Sequence, residues 1–215
     1  AAAKCNALIL ALQQHQYGYA FPVLYNADAK MAWDVRKAGL GLLRNAIGDV
    51  QPVNLIEDCA VAPEDLPYYI EDLQALLKKF NISASYYAHA GAGELHVEPL
   101  VNLKSAEGVF LFRAILKDTA ALIKKYNGSL SGEHGDGRLR GEFIAAVMGE
   151  EVMDLFKKVK IIFDPENIFN AGKIVATPAM DSHLRMRQDK KTAAITTTFD
   201  FSKQGTMIRL AEKCS

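Results

Sequence analysis

Apolar residues at Leu66, Ile70, Leu73, Leu77 and Phe80 recur every three or four positions, the spacing of one helix face. They predict a helix whose first turn tolerates Pro63. The same pattern predicts helices over 1–16, from Asn26 or Asp28 to about Ile47, and from about Ser105 to Tyr126. Gly48-Asp49 and Asn127-Gly128 would close the last two. Two shorter helices are predicted over 140–148 and 150–163, the second stopped by Asp164-Pro165. Short apolar runs at Phe21–Tyr25, Val53–Glu57, Ile82–His89 and Glu94–Glu98 read as strands, with Gly91-Ala92-Gly93 as a tight reversal between the last two. Short strands between long helices give an α+β or α/β protein. The hairpin favours α+β, an antiparallel sheet with helices packed on one face. After Val175 apolar runs become few. Residues 177–215 read as an extended tail that packs against another part of a larger protein, which sets a main domain at 1–176.

Composition narrows this picture. The 215 residues are half hydrophobic, enough for a substantial core, and the formal net charge is zero. A neutral chain gives no electrostatic reason to bind nucleic acid. Cys5, Cys59 and Cys214 are odd in number and far apart, which fits reduced thiols and a cytoplasmic setting. The run Ala7–Leu12 is too short to span a bilayer. The chain opens on Ala-rich helical sequence without Met, so the expectation is a piece cut from a longer protein.

Candidate chemistry sits in two Gly-rich segments. His89 and His96 are seven residues apart, which on one continuous strand would put them on opposite faces. A hairpin through Gly91-Ala92-Gly93 lays the two strands side by side, so both imidazoles can enter one pocket and hold a divalent metal. Two ordinary half-buried histidines are the plainer reading. Glu133-His134 lies in the second segment, where one residue can bind a metal while its neighbour faces a substrate. A solvent-exposed turn is the alternative. A carboxylate beside a His, with two further His in reach, can build a three-ligand metal site with one base left over.

Taken together, His89-Ala90-Gly91-Ala92-Gly93-Glu94-Leu95-His96 and Gly132-Glu133-His134-Gly135-Asp136-Gly137 resemble the C-terminal domain of FAD-linked 2-hydroxy acid dehydrogenases. These are flavoproteins of the vanillyl-alcohol oxidase type that act on D-lactate, glycolate or D-2-hydroxyglutarate. Trp33-Asp34-Val35-Arg36-Lys37 is similar to the family's W-x-x-R helix, Asn54–Val61 to its "IEDVAV" strand, and Asp164–Lys173 to its "DPxxxxNPGK" segment. The likeness runs from about residue 20 to 176 and implies a ferredoxin-like cap domain. It also implies roles: His89, His96 and Glu133 as ligands of Zn²⁺ or a similar divalent ion, and His134 as general base. Arg36 would pair with a substrate carboxylate. Arg140 would meet substrate carboxylate or flavin phosphate, with a salt bridge to Glu142 or Glu150 as the bland alternative. Asn170 and Lys173 would touch the flavin domain or the isoalloxazine edge, or else cap the chain structurally. A metal lowers the hydroxyl pKa, the base takes its proton, and the Cα hydrogen leaves as hydride to the flavin.

Departures qualify the likeness. Many members read H-x-G-D-G-N-L-H, and here Glu94 stands where the substrate-placing Asn is usual. Glu94 therefore joins the substrate-side candidates and keeps open a relative that has lost the metal and oxidises another alcohol. A noncatalytic partner-binding module on the same scaffold is a third reading. Thr197–Ser202 and Ala211–Ser215 resemble the linker before an iron–sulfur module in a parent protein. Cys214 alone cannot hold such a cluster, which needs four ligands. No G-x-G-x-x-G phosphate loop is present. The expected partners are an N-terminal FAD-binding domain and a small 2-hydroxy acid. An electron acceptor, a peripheral inner-membrane contact and homo-oligomerisation stay open through the parent.

Overall fold

The strand Glu94–Val101 organises the sheet, because it pairs on both of its edges. The computed structural model describes residues 2–43, 48–189 and 195–212. It divides into two compact units, Ala1–Asn45 and Ala46–Ser215. The first holds α1 (Ala2–Gln14) and α2 (Asn26–Leu43). Asp28 sits in the first turn of α2, where the helix end is electropositive. The expected end of α2 at Ile47 lies outside the described residues. Phe21–Tyr25, expected as a strand, is irregular. Pro22 cannot donate to a ladder, and the described part of that unit contains no strand to pair with.

The second unit is α+β. Its strands are β1 (Gln51–Pro52), β2 (Ile56–Ala60), β3 (Ala84–His89) and β4 (Glu94–Val101). β3 runs antiparallel along one edge of β4, with Tyr87 opposite His96 and His89 opposite Glu94. β1 and β2 share the other edge, also antiparallel. The expected strand Val53–Glu57 therefore starts later and extends to Ala60. Val53 to Leu55 interrupts it with a tight turn, in which the Leu55 amide donates to the Val53 carbonyl over 2.7 Å. The hairpin between β3 and β4 closes through one 3₁₀ turn, Ala90–Ala92, followed by Gly93 at φ +71°.

Helices α3 (Leu66–Lys79) and α4 (Ala106–Lys125) carry the apolar stripes that cover the sheet. Pro67 occupies the first turn of α3, one turn later than Pro63. The Ser105 hydroxyl caps α4 by accepting from the Gly108 amide over 3.0 Å. Leu73 and Leu77 of α3, with Ile115, Leu116 and Ile123 of α4, are buried against Ile56, Cys59, Leu95, Val97 and Val101. The alternate residues of β4, Glu94, His96 and Glu98, point to the other face and are buried as well. One side of the strand is thus hydrocarbon and the other carries charge.

A second helical pair, α5 (Ile144–Met148) and α6 (Glu150–Phe163), packs beside α4, and Asp164 ends α6 as its sequence predicts. Beyond residue 176, Met180 is buried in the core and its amide donates to Glu142 over 3.0 Å. The helix α7 (Met207–Glu212) ion-pairs with Lys104 through Glu212. Cys59 is buried, and burial pushes its thiol up to about 12, so it is an inert packing group. Cys214 lies outside the described residues. No helix among the described residues is long and apolar enough to cross a membrane.

Gly93 is the position on which the hairpin closes. A Cβ there would stand 2.0 Å from the Val61 carbonyl oxygen, a backbone atom that cannot swing aside like the end of a side chain, and the left-handed backbone adds strain. Gly93→Ala is expected to destabilise the full chain by about 1–3 kcal/mol, measured by urea unfolding. An unchanged midpoint would mean that the hairpin closes another way.

Candidate metal centre

The site is built on a fault in the sheet. Between Ile56 and Cys59 the register of β2 against β4 slips, so Glu57 and Asp58 together oppose the single residue His96. Asp58 adopts φ +58°, a left-handed conformation that Asp tolerates better than most residues. The bulge sends neighbouring carboxylates to different tasks. Glu57 turns to the charged face of the sheet, and Asp58 turns to the Gly-rich segment after α4.

That segment is hung on Asp58. Ser129 pairs with Ala60 through both backbone groups, and the Gly132 amide donates to the Asp58 carbonyl over 2.7 Å. One Asp58 carboxylate oxygen accepts from the Ser131 hydroxyl and the Glu133 amide, both at 2.9 Å, and from the His134 amide. The other accepts from Arg140 at 3.0 Å. Burial alone would raise this carboxyl. The donated hydrogen bonds and the Arg140 charge outweigh it and hold Asp58 below the usual carboxylate range. Arg140 is itself buried. It donates to the Glu57 and Gly135 carbonyls and lies 3.2 Å from Asp136, whose carboxyl is raised by burial. The alternation of buried anion and cation fixes the backbone from which Glu133 and His134 project, with the Glu133 carboxylate 3.4 Å from His134 Nε2.

Above this anchor four side chains converge. One ligand atom from each of His89, Glu94, His96 and Glu133 lies within 4.8 Å of all the others. His89 stands at the end of β3, 3.7 Å from Glu133, and its ring meets that of His96 edge-on at 5.2 Å. Tyr87 stacks on the other side of His96 at 4.7 Å. His96 Nδ1 is hydrogen-bonded to Glu57 at 3.1 Å, and Nε2 faces the cluster, 3.3 Å from Glu94. The same Glu57 oxygen lies 3.4 Å from His134 Nδ1, so one carboxylate orients two imidazoles. The side chains of His96, Glu94 and Glu57 are 3, 9 and 12% exposed, whereas those of His134, His89 and Glu133 are 48, 51 and 56% exposed. The centre is a buried floor with an open rim. Among the described residues neither Glu57 nor Glu94 pairs with a Lys or Arg side chain, so the floor carries acid without a fixed cation. Two imidazoles and carboxylate oxygens at these separations suit Zn²⁺ or a similar divalent ion.

The predicted residues divide accordingly. His89, His96, Glu133, His134 and Glu94 come together. Arg140 lies beneath them and pairs with Asp58 and Asp136, not with Glu142 or Glu150. Glu142 instead pairs with Arg113. Asn170 and Lys173 bond to each other at 3.2 Å, and the Ile174 amide that follows donates to the Gly137 carbonyl, tying their segment to the Gly-rich one. Arg36 is an exposed residue of α2 in the first unit. Sequence reasoning assigned no role to Glu57, Asp58 or Glu98. The available signal was an acid inside an apolar strand run, as in Ile56-Glu57-Asp58-Cys59-Ala60-Val61 and Leu95-His96-Val97-Glu98.

Known proteins share this arrangement of sequence. Residues 2–174 match the family described as FAD linked oxidases, C-terminal domain, which carries the likeness back through α1. The chain is 39% identical over 156 residues to a D-2-hydroxyglutarate dehydrogenase of Escherichia coli (strain K12), covering 73% of this chain and 15% of that protein. It is 41% identical over 142 residues to a D-2-hydroxyglutarate dehydrogenase of Pseudomonas putida, covering 66% and 14%. A D-lactate dehydrogenase of Archaeoglobus fulgidus is 33% identical over 118 residues, covering 55% and 26%. The chain thus spans about one seventh of the length of the first two relatives.

Removing one member of the buried pair isolates the other. Arg140→Leu is expected to cost about 3–5 kcal/mol, read as a lower urea midpoint, because Asp58 is left charged and unpaired. The depressed Asp58 carboxyl contributes stability that is full above the ordinary carboxylate range, near 3.9. That contribution is lost as pH falls through the lower folded value. Asp58→Asn should remove this part of the acid dependence, and an acid-unfolding profile identical to the parent's would refute the anchor.

Proposed function

We propose that this chain, which belongs to the C-terminal domain family of FAD-linked oxidases, supplies the substrate-facing half of a flavin-dependent 2-hydroxy acid dehydrogenase. The observation that carries the reading is the meeting of His89, His96 and Glu133 beside His134, with Glu57 behind two of the rings. The relatives named D-2-hydroxyglutarate dehydrogenase support that acid first, with D-lactate and glycolate in the same chemical class.

In this reading His89, His96 and Glu133 hold a divalent cation. His96 fits best, since Glu57 occupies its Nδ1 and Tyr87 fixes its ring plane. When bound, the cation would supply positive charge for the hydroxyl and carboxylate oxygens of the acid, and a flavin held by a neighbouring domain would supply the hydride-accepting chemistry. His134 has a different task. Its amide is pinned by Asp58, its Nδ1 lies 3.4 Å from Glu57 and its Nε2 lies 3.4 Å from Glu133, so Nε2 is the atom that accepts the hydroxyl proton once Glu133 is committed to the cation. A carboxylate behind the ring favours the imidazolium that forms. Proton and hydride leave the same carbon–oxygen unit, and the product is a 2-oxo acid. Arg36 is proposed to bind a carboxylate of the substrate, by a forked pair of hydrogen bonds. Asn170 and Lys173 are proposed to meet the flavin side. Arg140 acts through Asp58 and the Gly-rich segment, as a positioning residue.

His134→Asn in the intact flavoprotein is expected to lower turnover by about 10²–10⁴-fold with D-2-hydroxyglutarate, D-lactate or glycolate as substrate. Metal content, measured by elemental analysis, should not change. Loss of metal together with turnover would make His134 a ligand, and unchanged turnover would assign the base elsewhere.

A further inference from the structure

Glu94, a substrate-side candidate by its place in the sequence, is buried beside the two histidines without a Lys or Arg partner among the described residues. It is the first residue of β4, directly opposite His89 across the hairpin end. Its side chain is buried, and its Oε1 has no hydrogen-bond partner among the described residues. The carboxylate is wedged under the Gly-rich segment: a Cβ at Gly132 would stand 3.2 Å from both Cδ and Oε2. Oε1 is thereby turned toward His96, 3.3 Å from Nε2. Glu57 occupies His96 Nδ1, and across the 3.3 Å gap from Nε2 the buried Oε1 of Glu94 has no hydrogen bond, an arrangement that a shared cation would satisfy.

The spacing suits one. Bonds of about 2.0–2.2 Å to a tetrahedral Zn²⁺ set its ligand atoms about 3.3–3.6 Å apart. The Glu94–His96 separation is 3.3 Å and that of His89 and Glu133 is 3.7 Å. We propose that Glu94 is a fourth protein ligand, so that the centre is a two-imidazole, two-carboxylate site, electrically neutral when a divalent ion is bound. This rests on the cation reading of the preceding subsection and deepens it: the four protein ligands hold the ion at rest, and the oxygens of the acid bind by expanding its coordination beyond four. A neutral centre holds its ion more tightly and withdraws less charge from a substrate hydroxyl than a three-ligand centre with one carboxylate. The acid substrate also meets an additional fixed negative charge.

The test uses the full chain, stripped with a chelator and reloaded with Zn²⁺, and follows affinity by competition with a chromophoric chelator. Wild type is expected to bind one Zn²⁺ per chain, and Glu94→Gln to bind at least about a hundredfold more weakly. Without metal, Glu94→Gln should melt at a higher temperature than wild type, since the unpartnered charge is gone. Added Zn²⁺ should raise the melting temperature of wild type far more. Co²⁺ loading gives a second readout: intense visible bands of a four-coordinate ion in wild type, weakened in the variant. Glu94→Asp keeps the charge but withdraws the oxygen. A ligand role predicts weaker binding in Glu94→Asp as well, whereas wild-type affinity there would reduce Glu94 to a distant charge and overturn the proposal. Equal Zn²⁺ affinity in wild type and Glu94→Gln would also overturn it and leave the three-ligand reading standing. A wild-type chain that binds neither Zn²⁺ nor Co²⁺ would overturn both.

Discussion

The Asp58 carboxylate, buried and saturated by donors from the segment that follows α4, is the interaction on which the centre depends. Without it the Gly-rich segment has few means of its own to choose a shape. Its glycines leave the backbone free, and its polar residues would be equally content in water. Asp58 collects the Ser131 hydroxyl and the Glu133 and His134 amides at one point, and Arg140 balances the charge. A buried ion pair of this kind adds little net stability compared with hydrocarbon of the same volume. What it supplies here is a fixed direction. Two adjacent side chains, Glu133 and His134, leave the same short stretch of backbone on defined headings.

The sheet provides the second constraint. Residues of β4 alternate between a hydrocarbon core and a charged floor, and the bulge in β2 lets consecutive acids serve separate purposes. Charge on that buried face is balanced only in part, and Glu94 Oε1 is left without a hydrogen-bond partner among the described residues. Glu57 holds His96, Tyr87 covers the ring, and Asp58 holds Arg140. The floor comes from strand residues, which the fold makes rigid. The rim comes from a hairpin end and a loop, which leave room for a ligand to arrive.

Much of this was legible in the sequence where a period or a stop signal was strong. The stripe of α3, the hairpin between β3 and β4, the start of α4 near Ser105 and the Asp164 stop follow from local rules. The convergence of His89 and His96 followed from the hairpin once its strands were placed side by side. Phe21–Tyr25 misled because β-propensity describes a residue's fitness for a sheet and not the presence of one. The start of β2 was misread because Val53 and Leu55 look like strand residues but form a turn. Arg140 was singled out for its closeness to His134 in sequence, yet burial is a property of the whole fold, and it lies beneath the site. Glu57 and Asp58 were quoted as part of a motif without a task, since a bulge leaves no local mark in composition.

The alternation along β4 has one more consequence. Because core and floor share a single strand, sliding it by one residue would send Leu95 and Val97 into the charged layer and Glu94, His96 and Glu98 into hydrocarbon. No slipped form could keep a packed interior and lose only its chemistry, or the reverse. Packing of the core and gathering of the charged cluster are the same event in this protein, so a population of well-folded molecules with a scattered cluster has no structural route by which to arise from that error.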